Sequence, residues 1–169
     1  MKLSTRASTL VLAAALGTAG FVLPYVAPAG AALKPSVACA KVTSQPLSKT
    51  GGKIKATFAS CTPTALAAGG SSLTSVQPNQ TSGTLTDKVT WKNGKGTTTM
   101  IIKYAGTTIG KCKPPYDTRV KITGSVKSST GAAAKIVKAK EPVTAFQCAI
   151  TKGPNTGQST LEPGTKFKL

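Results

Sequence analysis

The chain has 169 residues, and its 22 lysines and arginines against 4 aspartates and glutamates give a formal net charge of +18. It contains no histidine, which excludes a Ser-His-Asp triad, a Cys-His dyad and histidine-ligated zinc. Four carboxylates are too few for a carboxylate-rich calcium or two-metal site. We therefore expect a non-enzymatic protein without a metal or another cofactor.

Residues 1–32 have the pattern of a cleavable secretory signal peptide. A basic start precedes the apolar stretch Leu10–Val26, and small residues follow up to Ala32, as a signal peptidase requires. Pro24 interrupts the apolar stretch, which is too short for a spanning helix. We expect cleavage close to Ala32, which would leave 33–169 as one secreted or envelope-associated domain without a transmembrane segment.

Short stretches of alternating apolar and polar residues follow, and this period is typical of half-buried strands. The stretches are Lys53–Ser60, Leu85–Trp91, Thr97–Tyr104, Thr107–Cys112, Arg119–Lys127, Lys135–Ala139, Thr144–Ile150 and Lys166–Leu169. The Pro-, Ala-, Gly- and Ser-rich segment Thr62–Gln80 is predicted as a loop, with a helical turn at Ala65–Ala68.

The Asn93-Gly94 pair gives the clearest local signal. It stands between two alternating stretches, and both central positions of a type I′ turn need a positive φ, which Asn and Gly tolerate. We predict a β-hairpin here. Asp87 shares the apolar face of the first strand, so it either meets a lysine or is turned outward by a bulge.

About eight short strands without a long helical period predict an all-β fold. The expected architecture is an antiparallel β-sandwich, Ig-like or related, or a partly open barrel. Parity along the strands places four aromatic side chains in the core: Phe58, Trp91, Tyr104 and Phe146.

Four cysteines in an exported chain predict two structural disulfides. They are Cys39, Cys61, Cys112 and Cys148, without the paired C-x-x-C spacing of a zinc or redox site. Of the three connectivities we favour Cys39–Cys61 and Cys112–Cys148, because each pair then lies on neighbouring predicted strands.

The lysine excess has two readings. Lysines that alternate with apolar residues, such as Lys53 and Lys55, solvate the outer face of a sheet and protect its edges. They also attract polyanions, so anionic cell-wall polymers or an acidic lipid surface are the expected partners. Arginines and exposed aromatics are scarce, which argues against nucleic acid.

A secreted binding module for polysaccharide or another envelope component is the alternative. Its ligand would contact loops, and the candidate residues are Lys113, Tyr116 and Asp117, where Tyr116 is the only loop aromatic. A hydrolase would need two converging carboxylates, and all but Asp87 lie in or beside turns. We expect a monomer.

Several local motifs together resemble those of small secreted β-rich, two-disulfide proteins of actinobacteria, the high-GC Gram-positive bacteria. The motifs are Ser36-Val37-Ala38-Cys39, Gly110-Lys111-Cys112, Phe146-Gln147-Cys148-Ala149 and Pro163-Gly164-Thr165-Lys166-Phe167. The resemblance covers most of the chain after the signal peptide. It implies an exported sandwich and carries over no catalytic residue.

Overall fold

The computed structural model describes residues 33–48, 52–76, 80–108 and 110–169. The predicted signal peptide, 1–32, lies outside them. The strands are β1 (Ala38–Pro46), β2 (Lys53–Thr62), β3 (Gly70–Ser75), β4 (Ser82–Trp91), β5 (Gly96–Thr107), β6 (Thr118–Ser129), β7 (Pro142–Ala149), β8 (Ser159–Leu161) and β9 (Phe167–Lys168). A 3₁₀ turn (Thr64–Leu66) precedes β3, and a short helix, α1 (Ala133–Ile136), precedes β7.

The strands form a closed antiparallel barrel. Each strand from β1 to β8 pairs with the next, and β8 pairs back to β1. The last wall position is filled by two short strands: β8 joins β7 to β1 at Thr43 and Ser44, whereas β9 joins them at Ala38 and Cys39. The all-β prediction is confirmed, and the chain forms a closed eight-stranded barrel rather than a sandwich or an open barrel. Alternation cannot distinguish these folds, since each buries one face of every strand.

The predicted hairpin is confirmed. The Lys95 N–H donates to the Lys92 carbonyl at 3.3 Å, and the two residues between them, Asn93 and Gly94, have φ values of 57° and 64°. Positive φ at both central positions defines a type I′ turn. β4 and β5 then pair in register from Trp91–Gly96 to Ser82–Ala105.

Two predicted strands are wrong. In the predicted strand Thr107–Cys112, β5 ends at Thr107, and a turn follows in which Gly110 has a φ of 60°. The predicted strand Lys135–Ala139 is not formed: its first two residues belong to the helix α1, in agreement with the helix propensity of Ala133 and Ala134, and a bend and a turn follow.

Three strands lie where none was predicted: β1, β3 and β8. β3 lies inside the predicted loop 62–80 and consists of Gly-Ser-Ser-Leu-Thr-Ser, which carries no strand signal of its own. Six residue pairs with β2 hold it in the wall. Tertiary pairing therefore overrides local propensity at this position.

Both preferred disulfides are present. Cys39 and Cys61 face each other in the β1–β2 register, and Cys112 joins the loop after β5 to Cys148 on β7. No helix among the described residues is long and apolar enough to cross a membrane.

One end of the barrel is filled by side chains, and we call it the packed end. Trp91, 2% exposed, lies there and donates from its indole N–H to the Thr98 hydroxyl at 2.9 Å. Met100 and Val126 face each other across β5 and β6, both buried. The helix α1 packs on the same strands, and the Ala133 N–H donates to Lys95 at 2.8 Å.

Candidate functional site: the barrel interior

The other end of the barrel, the open end, contains an unfilled space that we call the interior cavity. It has a volume of about 130 Å³. Its wall is mostly apolar, and the residues that form it include Val42, Ala56, Phe58, Leu85, Ile102, Val120, Ile122 and Phe167. Polar side chains lie among its remaining lining residues, including Ser44, Thr74, Gln80, Gln147, Thr151 and Ser159. An eight-stranded barrel is wide enough for one small ligand, and this distribution is typical of a ligand pocket.

Asp87 is the one carboxylate in the cavity wall. Its side chain points inward from β4 and is 6% exposed, so it neither meets a lysine nor turns outward on a bulge. The Ser72 hydroxyl donates to Oδ2 at 3.1 Å, while Oδ1 has no hydrogen-bond partner. Burial raises the pKa of Asp87, and the Ser72 hydroxyl and the Lys88 N–H offset only part of this effect. Asp87 thus keeps one buried carboxylate oxygen without a hydrogen-bond partner among the described residues.

Tyr104 is the only other titratable side chain among the described residues of the cavity wall, and burial raises its pKa. Its register partner on β4 is Gly83, where an added Cβ would stand 2.6 Å from the tyrosine hydroxyl. An alanine here would force the Tyr104 side chain to shift, because the aromatic ring occupies the space of a second side chain. Tyr104 therefore points inward, as predicted, and packs against the buried core where it forms part of the cavity wall.

The strands β3 and β4 are joined by few backbone pairs, and we call the line between them the β3–β4 seam. These strands share only two residue pairs, Gly70–Trp91 and Ser71–Thr90, whereas β4 and β5 share a full ladder. Beyond the second pair, the Ser72–Asp87 hydrogen bond connects the two strands through their side chains. Asp87 therefore lies beside a strand boundary that is held by few backbone pairs.

The lysines occupy the outside. Every described lysine is exposed except Lys95, which is half-buried. They occur on six of the nine strands, and β3, β7 and β8 carry none: Lys41 on β1, Lys53 and Lys55 on β2, Lys88 on β4, Lys103 on β5, Lys121 and Lys127 on β6, and Lys168 on β9. The positive charge is therefore spread over most of the described barrel instead of forming one focused patch.

The predicted ligand loop is used for internal hydrogen bonding. Asp117 accepts from the Thr151 N–H at 3.0 Å, the Thr151 hydroxyl at 2.9 Å and the Thr118 hydroxyl at 2.9 Å. Burial raises the pKa of Asp117, but these bonds outweigh it and leave the pKa below its ordinary value. Tyr116 is half-buried and Lys113 exposed. Asp117 thus links two loops, and its carboxylate is already occupied.

Glu162 belongs to a cluster on the outer wall. It is 3% exposed, and it accepts from Arg119 Nη2 at 2.9 Å and from the Lys111 N–H at 3.0 Å. Arg119 lies 3.8 Å above the ring of Phe146, which corrects the prediction that Phe146 is a core residue. The hydrogen bond from Arg119 lowers the pKa of Glu162.

Glu141 ties the start of the barrel to the loop before β7. It accepts from the Ser36 hydroxyl at 2.6 Å, the Ser36 N–H at 3.0 Å and the Lys138 N–H at 2.7 Å. The four carboxylates of the sequence thus have four separate sets of donors, and only Asp87 keeps a free buried oxygen among them. The alternation in the sequence placed Asp87 on the apolar face of its strand, and in the structure this face lines the cavity.

Comparisons with known proteins found no match: no protein-family model, no curated protein and no solved structure matches the chain.

Proposed function

We propose that this chain is a binding protein that holds a small, mostly apolar ligand inside its barrel. The interior cavity carries the proposal, because it combines an apolar wall with a buried, unsatisfied carboxylate. A cavity of about 130 Å³ is close in size to an engineered apolar cavity that takes up benzene. A ligand of that size would gain burial energy without any rearrangement of the packed end.

Binding rather than catalysis fits the placement of the carboxylates. Glycoside hydrolysis needs two carboxyl groups that face each other across the substrate, and Asp87 is the only one in the cavity wall. The polysaccharide alternative loses support, because the predicted loop uses Asp117 for internal hydrogen bonds.

Toluene is a suitable first probe. We expect it to shift the amide resonances of residues that line the interior cavity and to raise the melting temperature, since a ligand of the folded state stabilises it. Ala56→Leu would fill the cavity from β2 and abolish both effects. Ala105→Leu adds the same atoms on the exposed outside of β5 and would leave them intact. The proposal fails if saturating toluene moves neither the resonances nor the melting temperature.

A second candidate function is association of the exported barrel with the anionic cell envelope. The outward position of the described lysines favours it, and their spread over most of the barrel fits a weak, orientation-independent attraction. We expect retention on purified anionic cell-wall polymer at low salt that is lost at about 0.5 M salt, where exposed charges are screened. No retention at low salt would contradict it.

A further inference from the structure

We infer that the interior cavity selects a ligand whose small apolar body carries a primary amine, with Asp87 as the acceptor. This inference rests on the proposed function, since it names the chemical class of the ligand held in the same cavity. It starts from Asp87, which lines the cavity and whose Oδ1 atom is buried without a hydrogen-bond partner among the described residues.

A buried carboxylate without compensation is costly, so such groups are normally paired with a donor or a cation. Ser72 supplies one hydrogen bond, to Oδ2. Among the described residues the only ion pair joins Arg119 to Glu162, on the outer wall. No lysine or arginine of the described chain therefore forms an ion pair with Asp87.

An ammonium group satisfies this site better than the other donors. A carboxylate only accepts hydrogen bonds, and a charged N–H donor forms stronger bonds with it than a neutral hydroxyl does. A divalent cation would need several oxygen ligands, whereas here only Ser72 accompanies Asp87. The rest of the wall suits a hydrocarbon body of about the size of a benzene ring.

The contrast in charge between inside and outside supports the same choice. Outside, exposed lysines favour anions, whereas the only ionisable groups in the described cavity wall are Asp87 and Tyr104. The positive charge thus favours anions at the surface, whereas the described cavity wall offers a cation the carboxylate of Asp87. At about 0.15 M salt the outer charges are screened beyond roughly 8 Å, so they do not prevent an amine from entering.

Three ligands of similar size, toluene, benzyl alcohol and benzylamine, separate the contributions of the apolar ring, a neutral hydroxyl donor and a charged ammonium donor. Each is titrated by calorimetry into the full barrel at physiological salt. We expect benzylamine to bind at least about 10-fold more tightly than the other two, as one charge-assisted hydrogen bond allows. Asp87→Asn keeps the size of the side chain and should reduce this preference to within about 2-fold. Circular dichroism checks that the variant is folded.

A carbon-13 label on the Asp87 carboxyl gives an independent readout, which should shift with benzylamine and stay still with toluene. If toluene binds but benzylamine is no tighter than benzyl alcohol, or if Asp87→Asn keeps the preference, the amine inference is overturned and the proposed function stands. If none of the three ligands binds, both are overturned.

Discussion

The packed end and the open end of the barrel are built from the same strands, yet they differ in how the interior is filled. On β4 and β5, Trp91 and Met100 leave no space at the packed end, whereas Leu85 and Tyr104 on the same strands border the interior cavity. Continuous hydrogen bonding of the wall does not require a filled interior. The packed end can therefore supply stability while the open end remains free to bind.

The largest expected difference between the two ends comes from truncating large side chains. Trp91→Ala removes a buried indole and its hydrogen bond to Thr98, and it should cost about 3–5 kcal/mol of unfolding free energy. Leu85 borders a space that already exists, so Leu85→Ala should cost only about 1 kcal/mol of unfolding free energy. Urea denaturation of both variants measures the contrast, and equal losses would show that the open end is not the less stabilising one.

The outer wall near the open end depends on the Arg119–Glu162 pair. Arg119→Ala leaves the buried Glu162 without its guanidinium partner, so a loss of about 1–3 kcal/mol is expected at neutral pH. Since the pKa of Glu162 is lower in the folded chain, its contribution is fully present above the unfolded pKa and fades as pH falls through the folded value. The difference between Arg119→Ala and wild type should therefore shrink in acid. A difference that is constant with pH would contradict the ion-pair account.

Asp87→Asn should act in the opposite direction on stability. The pKa of Asp87 is raised by burial, so the ionised carboxylate destabilises the folded chain above that pKa. At neutral pH the amide should therefore stabilise the barrel, by about 1 kcal/mol, and the gain should vanish as pH falls to where Asp87 is protonated in both states. Thermal unfolding of both chains between acidic and neutral pH tests the sign, and destabilisation at neutral pH would contradict it.

The smallest effect is expected at the cavity wall. In Gly83→Ala, the new Cβ would meet the Tyr104 hydroxyl and displace the ring, with a change in stability below about 1 kcal/mol and a several-fold change in toluene affinity. Tyr104→Phe removes the closest clashing atom, the hydroxyl oxygen, but ring Cζ would still stand 2.9 Å from the new Cβ, so the double variant should recover only part of the affinity. Additive effects in this double-mutant cycle would mean that the two side chains do not interact.

Those parts of the fold that depend on local patterns could be predicted from the sequence. Strict alternation and Asn93-Gly94 located the β4–β5 hairpin. The disulfide pairing was also correct, although β1, which carries Cys39, was not predicted and Cys112 lies in a loop. β3 and β8 could not be predicted, because pairing with distant strands creates them and their own residues are weakly apolar. Closure of the barrel depends on these two strands and on β1. Because none of the three was predicted, the sequence could not distinguish a barrel from a sandwich.

The candidate site was only partly visible in the sequence. The parity of Asp87 indicated an inward carboxylate, but whether space lies in front of it depends on side-chain volumes from strands all around the ring. Phe146 shows the opposite error: its parity suggested the core, yet the Arg119 guanidinium covers it on the outside.

The pairing of Val37 with Leu169 has a practical consequence. Their backbone groups exchange two hydrogen bonds, of 2.6 and 2.9 Å, which brings the first and last parts of the described barrel side by side. A short peptide linker could therefore join them, and the chain could be cut at the exposed Asn93-Gly94 turn instead. Such a circular permutant would keep the same wall and cavity with a new chain order. Its linker would connect the segments at Leu169 and Val37 covalently.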